Sequence, residues 1–482
     1  AQVLELAGGR TSIQPSLSLD QVFTDNYRLS ASDKASDSIT RATAGLKVQG
    51  RSARVQGFLD YSLSGSVYAN HSVQNASQQA LTSSLNAELI ERRLTLEAGA
   101  TISRRAISAF GASAANAELV NANAAEVRSY RVAPTLRGLL PGGLVYSATA
   151  GWTASDAANG GVGNASTGTA AFHLAPGSAG RWAWAVDAQH TASGFSLGRN
   201  TDSDRLFGTL SADLNAIDLR LSANAGRELS NLATPQREGH GTWGLGAQWA
   251  PSAVTQASAK YDSRAFGHTN QLAFTHRTPL TVWQASSSRS LNYGTASVGQ
   301  RGTAFELFYA QLASVEPDPI KRVDRVLQLL QRSGLDPNAR DDAGFLSGSA
   351  TLVDQQQLSA AWHGLRDTAV LTIQRSVSRR ADPIAAVADD LANASQLRTQ
   401  SLTLNLSHNL TPVSNLVLVT TWQQSDGSLA NQHSVQRLVN LLWSQTLSPY
   451  INVSAGLRRG LYDVRPAAYS EAAITALIAA RF

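Results

Sequence analysis

Period-two alternation runs along almost the whole chain, and it limits the possible folds more than any other feature. In a strand, successive side chains turn to opposite faces. From Leu144, one set reads Leu144, Tyr146, Ala148, Ala150 and Trp152, while Val145, Ser147, Thr149, Gly151 and Thr153 interleave with it. Trp182, Trp184, Val186 and Ala188 oppose Asp187, Gln189 and Thr191. Ile217, Leu219, Leu221 and Ala223 alternate with Asp218, Arg220, Ser222 and Asn224. Leu402, Leu404 and Leu406 alternate with Ser401, Thr403, Asn405 and Ser407, and Ile451, Val453, Ala455 and Leu457 with Asn452, Ser454, Gly456 and Arg458.

A large soluble β-sandwich, propeller or solenoid also alternates. Three features favour a membrane barrel instead. The runs extend to about a dozen residues, against about five or six for globular strands. Tight connections alternate with long ones. The last run carries Ile474, Ala476, Ile478, Ala480 and Phe482 on one face, and an aromatic there resembles the signal read by the barrel-insertion machinery.

The tight connections are Gly50-Arg51-Ser52, Glu91-Arg92, Leu140-Pro141-Gly142-Gly143, Ala216-Ile217, Pro251-Ser252, Pro279-Leu280, Leu365-Arg366-Asp367, Thr411-Pro412-Val413 and Ser448-Pro449. Their turn-forming content suits short hairpins. Longer polar stretches lie between them: 27–38, 109–125, 154–166, 193–203, 228–239, 381–396 and 463–468. Short turns on one side and long loops on the other match the periplasmic and extracellular ends of outer-membrane barrels. The pairing count gives a transmembrane antiparallel barrel of about 22 strands, with 18–22 as the range because 166–174 and 268–278 read weakly. Residues 1–10 read as a periplasmic tail and 11–482 as the barrel. The start at Ala1-Gln2 reads as the product of signal-peptide removal.

Composition agrees. Charged residues are 16% of the 482, against about 25% in soluble domains. Yet no stretch nears the roughly 18 consecutive apolar residues of a membrane helix. The net charge of +5 is small, and scattered cations leave no nucleic-acid patch. There is no Cys and no Met; the first excludes disulfides and thiol chemistry. Trp152, Trp182, Trp184, Trp243, Trp249, Trp422 and Trp443 fall on apolar faces or strand ends, as interfacial girdles do.

One segment, at about 300–345, breaks the alternation. Thr303-Ala304-Phe305-Glu306 is a capping-box pattern, followed by Phe305, Phe308, Tyr309 and Leu312 at helical spacing. Pro317-Asp318-Pro319 then ends one helix and starts another, in which Ile320, Val323, Val326, Leu327 and Leu330 share a face. This predicts a helical hairpin in one long loop, either a gate or plug or a cap that merely packs on the loops. Strand parity puts it on the extracellular side or in the lumen.

Three sequence blocks carry a family resemblance: Ile13-Gln14-Pro15-Ser16-Leu17-Ser18-Leu19 through Asn26, Ser103 to Gly111, and the ordered blocks Phe305–Ala313, Pro317-Asp318-Pro319, Ser333–Asn338 and Gly344-Phe345-Leu346. Together they resemble outer-membrane barrels associated with the PEP-CTERM/exosortase system. The resemblance implies an exopolysaccharide locus and a pore through which the polymer leaves. It supplies no catalytic or binding residues.

No motif makes a case for an enzyme. Gly194-Phe195-Ser196-Leu197-Gly198 fits a nucleophile-elbow pattern but stands between two strands, where a flexible loop is the better reading. The nine His show no metal spacing, and no cofactor is expected. Asp341-Asp342 and Asp389-Asp390 read as solvated acids, with a divalent ion the lesser reading.

Parity assigns Arg41, Lys47, Arg54, Phe58, Asp60, Glu88, Glu97, Arg131, Asp187, Asp213, Arg220 and Lys260 to the lumen. Mixed charge among hydroxyls and amides suits a hydrated neutral polymer better than an ion-selective pore. It also suits a paired network that merely stiffens the wall. The leading expectation is an exopolysaccharide-export conduit in the outer membrane, among its lipid and lipopolysaccharide, fed by a periplasmic export protein. A diffusion porin and a non-transporting surface scaffold are the alternatives.

Overall fold

A computed structural model describes residues 2–6, 9–112, 121–158, 161–178, 180–293, 322, 326, 345–382, 389–392, 394–429, 431–464 and 467–482. The strands run β1 (Gln2–Leu6), β2 (Gly9–Thr24), β3 (Asp37–Arg51), β4 (Val55–Tyr68), β5 (Ala76–Ile90), β6 (Leu94–Ala106), β7 (Ala124–Leu140) and β8 (Leu144–Ala158). Next come β9 (Ala165–Pro176), β10 (Trp182–Phe195), β11 (Thr201–Leu214), β12 (Leu219–Ser230), β13 (Glu238–Ser252), β14 (Thr255–Arg264), β15 (Gly267–Arg277) and β16 (Thr281–Asn292). The last are β17 (Thr351–His363), β18 (Asp367–Arg380), β19 (Leu397–Thr411), β20 (Ser414–Asp426), β21 (His433–Ser448), β22 (Ile451–Val464) and β23 (Ala467–Arg481).

Strands β2 to β23 pair antiparallel, each with its sequence neighbours, and β2 pairs with β23 to close a 22-strand barrel. The runs read as weak, 166–174 and 268–278, form β9 and β15 in full register. Closure removes the sheet edges that would otherwise need covering. β1 forms a short hairpin with the start of β2, from Leu6 opposite Gly9 to Gln2 opposite Ile13. It lies along the edge of β2 beyond the end of β23, where the Phe482 N–H donates to the Pro15 carbonyl at 3.0 Å.

The two ends of the barrel differ as the turn chemistry requires. At one end the connections are two to five residues long, such as 52–54, 141–143 and 364–366. Gly142 and Gly143 both take positive φ, +87° and +74°, in the 141–143 turn, a conformation a Cβ would strain. At the other end the connections are five residues or longer, except the two-residue links at 265–266 and 465–466.

Alternation separates two environments. Leu17, Leu19, Phe23, Leu63, Val132, Leu210, Leu245, Leu272, Ile373, Leu457 and Ile474 lie exposed on one parity of their strands. Exposed apolar area this continuous marks a lipid-facing surface. Near the short turns it is rimmed by Trp182, Trp249, Trp283, Trp362 and Tyr450. The other parity faces the lumen, because segments joining opposite walls touch only that set.

The helical hairpin expected at about 300–345 is not supported. Its candidate gate residues Phe305, Phe308, Tyr309, Ile320, Val323, Leu327 and Leu330 lie outside the described residues. Arg322 and Val326 are two isolated positions with helical backbone, which establish no hairpin.

Candidate functional site in the lumen and at its mouth

Most of the expected lumen residues stand on the inner parity as ion pairs. Lys47 reaches Asp60 at 3.1 Å across β3 and β4. Arg131 faces Glu97 at 4.0 Å, and Arg220 holds Asp213 with two bonds of 2.5 and 2.8 Å. Asp187 meets His173 at 2.8 Å, and Arg41 donates to the Ser64 hydroxyl at 3.0 Å. Lys260 approaches Asp262 at 3.4 Å, and Asp262 also accepts from Arg205 and Asn224. Phe58 sits on the inner face of β4, opposite Gln49 and Ser84.

One residue of that set lies elsewhere. Arg54 belongs to the 52–54 turn and pairs with Glu91 at 3.2 Å, outside the strand alternation that suggested a wall position. Glu88 is on the inner parity at the short-turn end of β5, where its carboxylate accepts the Arg92 N–H.

Pairing is densest where the wall is most buried. Glu228 takes two bonds from Arg264, 2.7 and 2.9 Å, and one from Ser203 at 2.9 Å. The Arg205 guanidinium lies 4.2 Å from the Phe207 ring centre. A polar cavity of about 510 Å³ opens beside these groups, lined by Gln189, Thr191, Lys260, Gln271 and Ser288 among others.

The wall from β17 to β21 differs in chemistry. At one level the register runs Gln357, Gln374, Ser401, Gln423 and Gln436. The inward row nearer the long loops reads Gln355, Ser376, Thr399, Ser425 and Ser434. The row nearer the short turns reads Ser359, Thr372, Thr403, Thr421 and Leu438. All but Leu438 offer a neutral hydroxyl or amide. Alternation predicted polar residues here, but only the register reveals that they form one uncharged face.

The long-loop mouth is crossed by chain that folds inward. Residues 345–350, leading into β17, are buried: Phe345 is 1% exposed and Leu346 0%. Leu346 packs with Ala125 and Val127 of β7 and Ala157 of β8, across the ring from β17. Its N–H donates to the Ile107 carbonyl at 3.3 Å. Ala350 packs with Phe195 at the end of β10 and with Leu232 in the link between β12 and β13. The segment therefore straps the opening from wall to wall. Full burial of side chains such as Phe345 and Leu346 contributes about 1.5–3 kcal/mol each.

Of the acids read as solvated, Asp389 and Asp390 fasten this strap, and Asp341 and Asp342 lie outside the described residues. Asp389 accepts from Ser347 Oγ at 2.8 Å and the Gly348 N–H at 3.3 Å through one oxygen. Its other oxygen accepts from Arg380 at 2.5 Å and the Leu391 N–H at 3.1 Å. Asp390 accepts from the Ser108 hydroxyl and the Ala109 N–H, both at 2.7 Å. The Ala109 carbonyl accepts from Ser434 of β21 at 3.0 Å, completing a second crossing. The sequence missed this latch because its partners stand up to 282 residues away. No sequence signal tells an inward-folded acidic loop from a solvated one.

Burial, and secondarily the charge of Asp389, pushes the Asp390 carboxyl above the ordinary carboxylate range, against its bonds from Ser108 and Ala109. A carboxyl raised in the closed form favours closure when protonated. That contribution is fully present below the ordinary aspartate value of about 3.9 and is lost as pH rises through the raised value. Conductance measured in planar bilayers is therefore expected to fall on acidification through that window. Asp390→Asn should flatten the response, and an unchanged profile would rule the carboxyl out as its source.

The elbow-like Gly194–Gly198 is not a strand-to-helix turn. Gly194 and Phe195 end β10, and the Ser196 hydroxyl accepts the Asn164 N–H at 2.7 Å in the link to β11. Among the described residues, no three His, Cys, Asp or Glu are grouped to hold a metal.

No family model matches the chain, and no curated protein matches it. Solved structures of similar form include the FrpB iron transporter from Neisseria meningitidis, at 10% identity and TM-score 0.48 over 97% of this chain and 81% of that one. The siderophore receptor PirA from Pseudomonas aeruginosa gives 9% identity and TM-score 0.45 over 98% and 80%. OpdK of the same organism, solved with vanillate, gives 10% and 0.38 over 98% and 99%. Values this low mark no more than a broad resemblance of form.

Proposed function

We propose that this barrel is an outer-membrane conduit through which an exopolysaccharide leaves the cell. The observation that carries the reading is the uncharged face of β17–β21, rows of amides and hydroxyls bordered by walls whose charges are internally paired. Most of these side chains are buried in this structure, Gln374 at 3% and Ser425 at 0% exposed, so a hydrated sugar chain would exchange hydrogen bonds along the face only once it is uncovered; no dominant charge selects an ion. The resemblance of the three sequence blocks to PEP-CTERM/exosortase-associated barrels supports the same reading. The conduit is passive: polymer synthesis drives transit, a periplasmic export protein delivers the chain, and no catalytic step is assigned.

A barrel of 22 strands needs closure when idle, and the strap at 345–350 supplies it in this reading. Passage then requires the latch at Asp389 and Asp390 to yield. Deleting the gene in its native bacterium tests the function. Surface polymer should disappear, and a plasmid copy should restore it. Unchanged surface polymer would remove the export role. If the purified barrel then conducted freely on its own, a diffusion porin would be the better account.

A further inference from the structure

We infer that the outer surface of β17–β19, at its long-loop end, is a binding site for the phosphorylated headgroup of a lipid in the adjacent leaflet. The inference rests on the membrane-barrel reading and is independent of polymer export.

The site is built on the lipid-facing parity. Arg375, Val377 and Arg379 succeed one another on the outside of β18. Arg398 of β19 and Asp354 of β17 stand opposite Val377 on either side. Arg289 of β16 lies beyond Asp354. Four guanidinium groups thus share this patch with two carboxylates, Asp354 and Asp426, the latter opposite Arg398. Asp354 meets Arg379 at 3.1 Å and Arg289 at 3.7 Å. Arg375 is exposed, and its register neighbours Gln356 and Gln400 are neutral. The buried Arg398 Nε has no hydrogen-bond partner among the described residues. The next carboxylate, Asp426, already accepts from His433 at 2.7 Å and Gln424 at 2.8 Å.

Two other outward cations near this end have carboxylate partners. Arg128 pairs with Glu126 at 2.8 Å, and Arg237 binds both Asp202 and Asp204. On β18 and β19 the guanidinium groups outnumber the carboxylates.

Depth and neighbours indicate the ligand. A membrane strand crosses the hydrocarbon in about 9–11 residues. Counted from Asp367 at the short-turn end of β18, that places Val377 near the far headgroup level. Directly below, Leu358, Ile373 and Leu402 form an exposed apolar row for acyl chains. Guanidinium forks match phosphate oxygens with paired bonds. A phosphate-bearing lipid satisfies both halves of the site, whereas a free anion uses only the upper one. In the outer membrane, the phosphorylated diglucosamine of lipopolysaccharide has this chemistry.

The full-length barrel, folded in phosphatidylcholine nanodiscs, is incubated with diphosphoryl lipid A or with lipid A stripped of phosphate. Retained lipid is read by native mass spectrometry after gel filtration. Arg375→Gln/Arg398→Gln is expected to retain diphosphoryl lipid A at least tenfold more weakly than the parent. Neither barrel should hold the stripped lipid. Arg375→Lys/Arg398→Lys keeps the charge but loses the fork, and should fall between them. Arg366→Gln, in a short turn at the opposite end, should match the parent. Heat-dependent electrophoretic mobility confirms folding in each case. Equal retention by the parent and the Gln variant would overturn the site, as would equal retention of the two lipids. Displacement of the lipid by millimolar inorganic phosphate would make it a free-anion site and also overturn the proposal.

Discussion

The expected result for Asp389→Ala is a barrel that still folds but no longer stays shut. The change removes the acceptor for Ser347 Oγ, the Gly348 N–H and the Leu391 N–H together. It also strips the 2.5 Å carboxylate contact from Arg380, whose side chain is only 13% exposed. Breaking one half of a buried ion pair costs about 3–5 kcal/mol. Each 1.4 kcal/mol is about a tenfold change in an equilibrium, so the closed population should fall by two to three orders of magnitude. The barrel's ladder is untouched, since Asp389 lies outside every strand. Planar-bilayer recordings should show conductance rising at least tenfold. Cells carrying the variant should admit antibiotics too large for ordinary porins. Asp389→Asn keeps a shorter set of bonds and should give a smaller effect. If Asp389→Ala conducts like the parent while running as a folded band, residues 345–350 are not the barrier.

The second large effect concerns the seam. Glu471 of β23 is 0% exposed and takes bonds of 2.8 and 3.1 Å from Arg458 of β22. It takes a third, 3.0 Å, from Thr24 Oγ1 of β2. One carboxylate therefore joins the three strands around the closure. Glu471→Ala leaves Arg458 facing a vacated site, at a cost of about 3–5 kcal/mol. The folded band in unheated SDS electrophoresis should be lost roughly 3–5 °C lower than in the parent. Glu97→Ala serves as the contrast. Its partner Arg131 is 4.0 Å away, and both side chains are more than half exposed. Exposed pairs contribute about 0–1 kcal/mol, so its melting should barely move. Equal shifts in the two variants would mean that the seam has no special standing.

These two residues mark what the sequence could and could not disclose. Glu471 stands on β23, whose alternation from Ile474 to Phe482 was legible because strand geometry is written in local alternation. Its bond to Thr24, 447 residues away, had no local trace. Asp389 and Asp390 were further out of reach. Their loop is polar, and a polar loop folded inward has the composition of one in water. Lys47 with Asp60 and Asp213 with Arg220 were each placed on the inner wall by parity, but only register showed them to be partners. Register also separated the charged wall of β10–β14 from the neutral one of β17–β21, since both read simply as polar.

The pairing of β2 with β23 also bears on the order of assembly. Every other neighbouring pair in the ring is consecutive in sequence, so most can form as soon as a hairpin is made. The last pairing brings Ser16 beside Arg481. The entropy of joining distant ends grows only with the logarithm of their separation, yet this contact has no turn to template it and waits for all the rest. Until it forms, both outermost strands present unpaired edges to whatever else is nearby. The final step of folding is therefore the one most exposed to error, and β1, lying along β2 from Ile13 to Gly9, covers part of one of those edges.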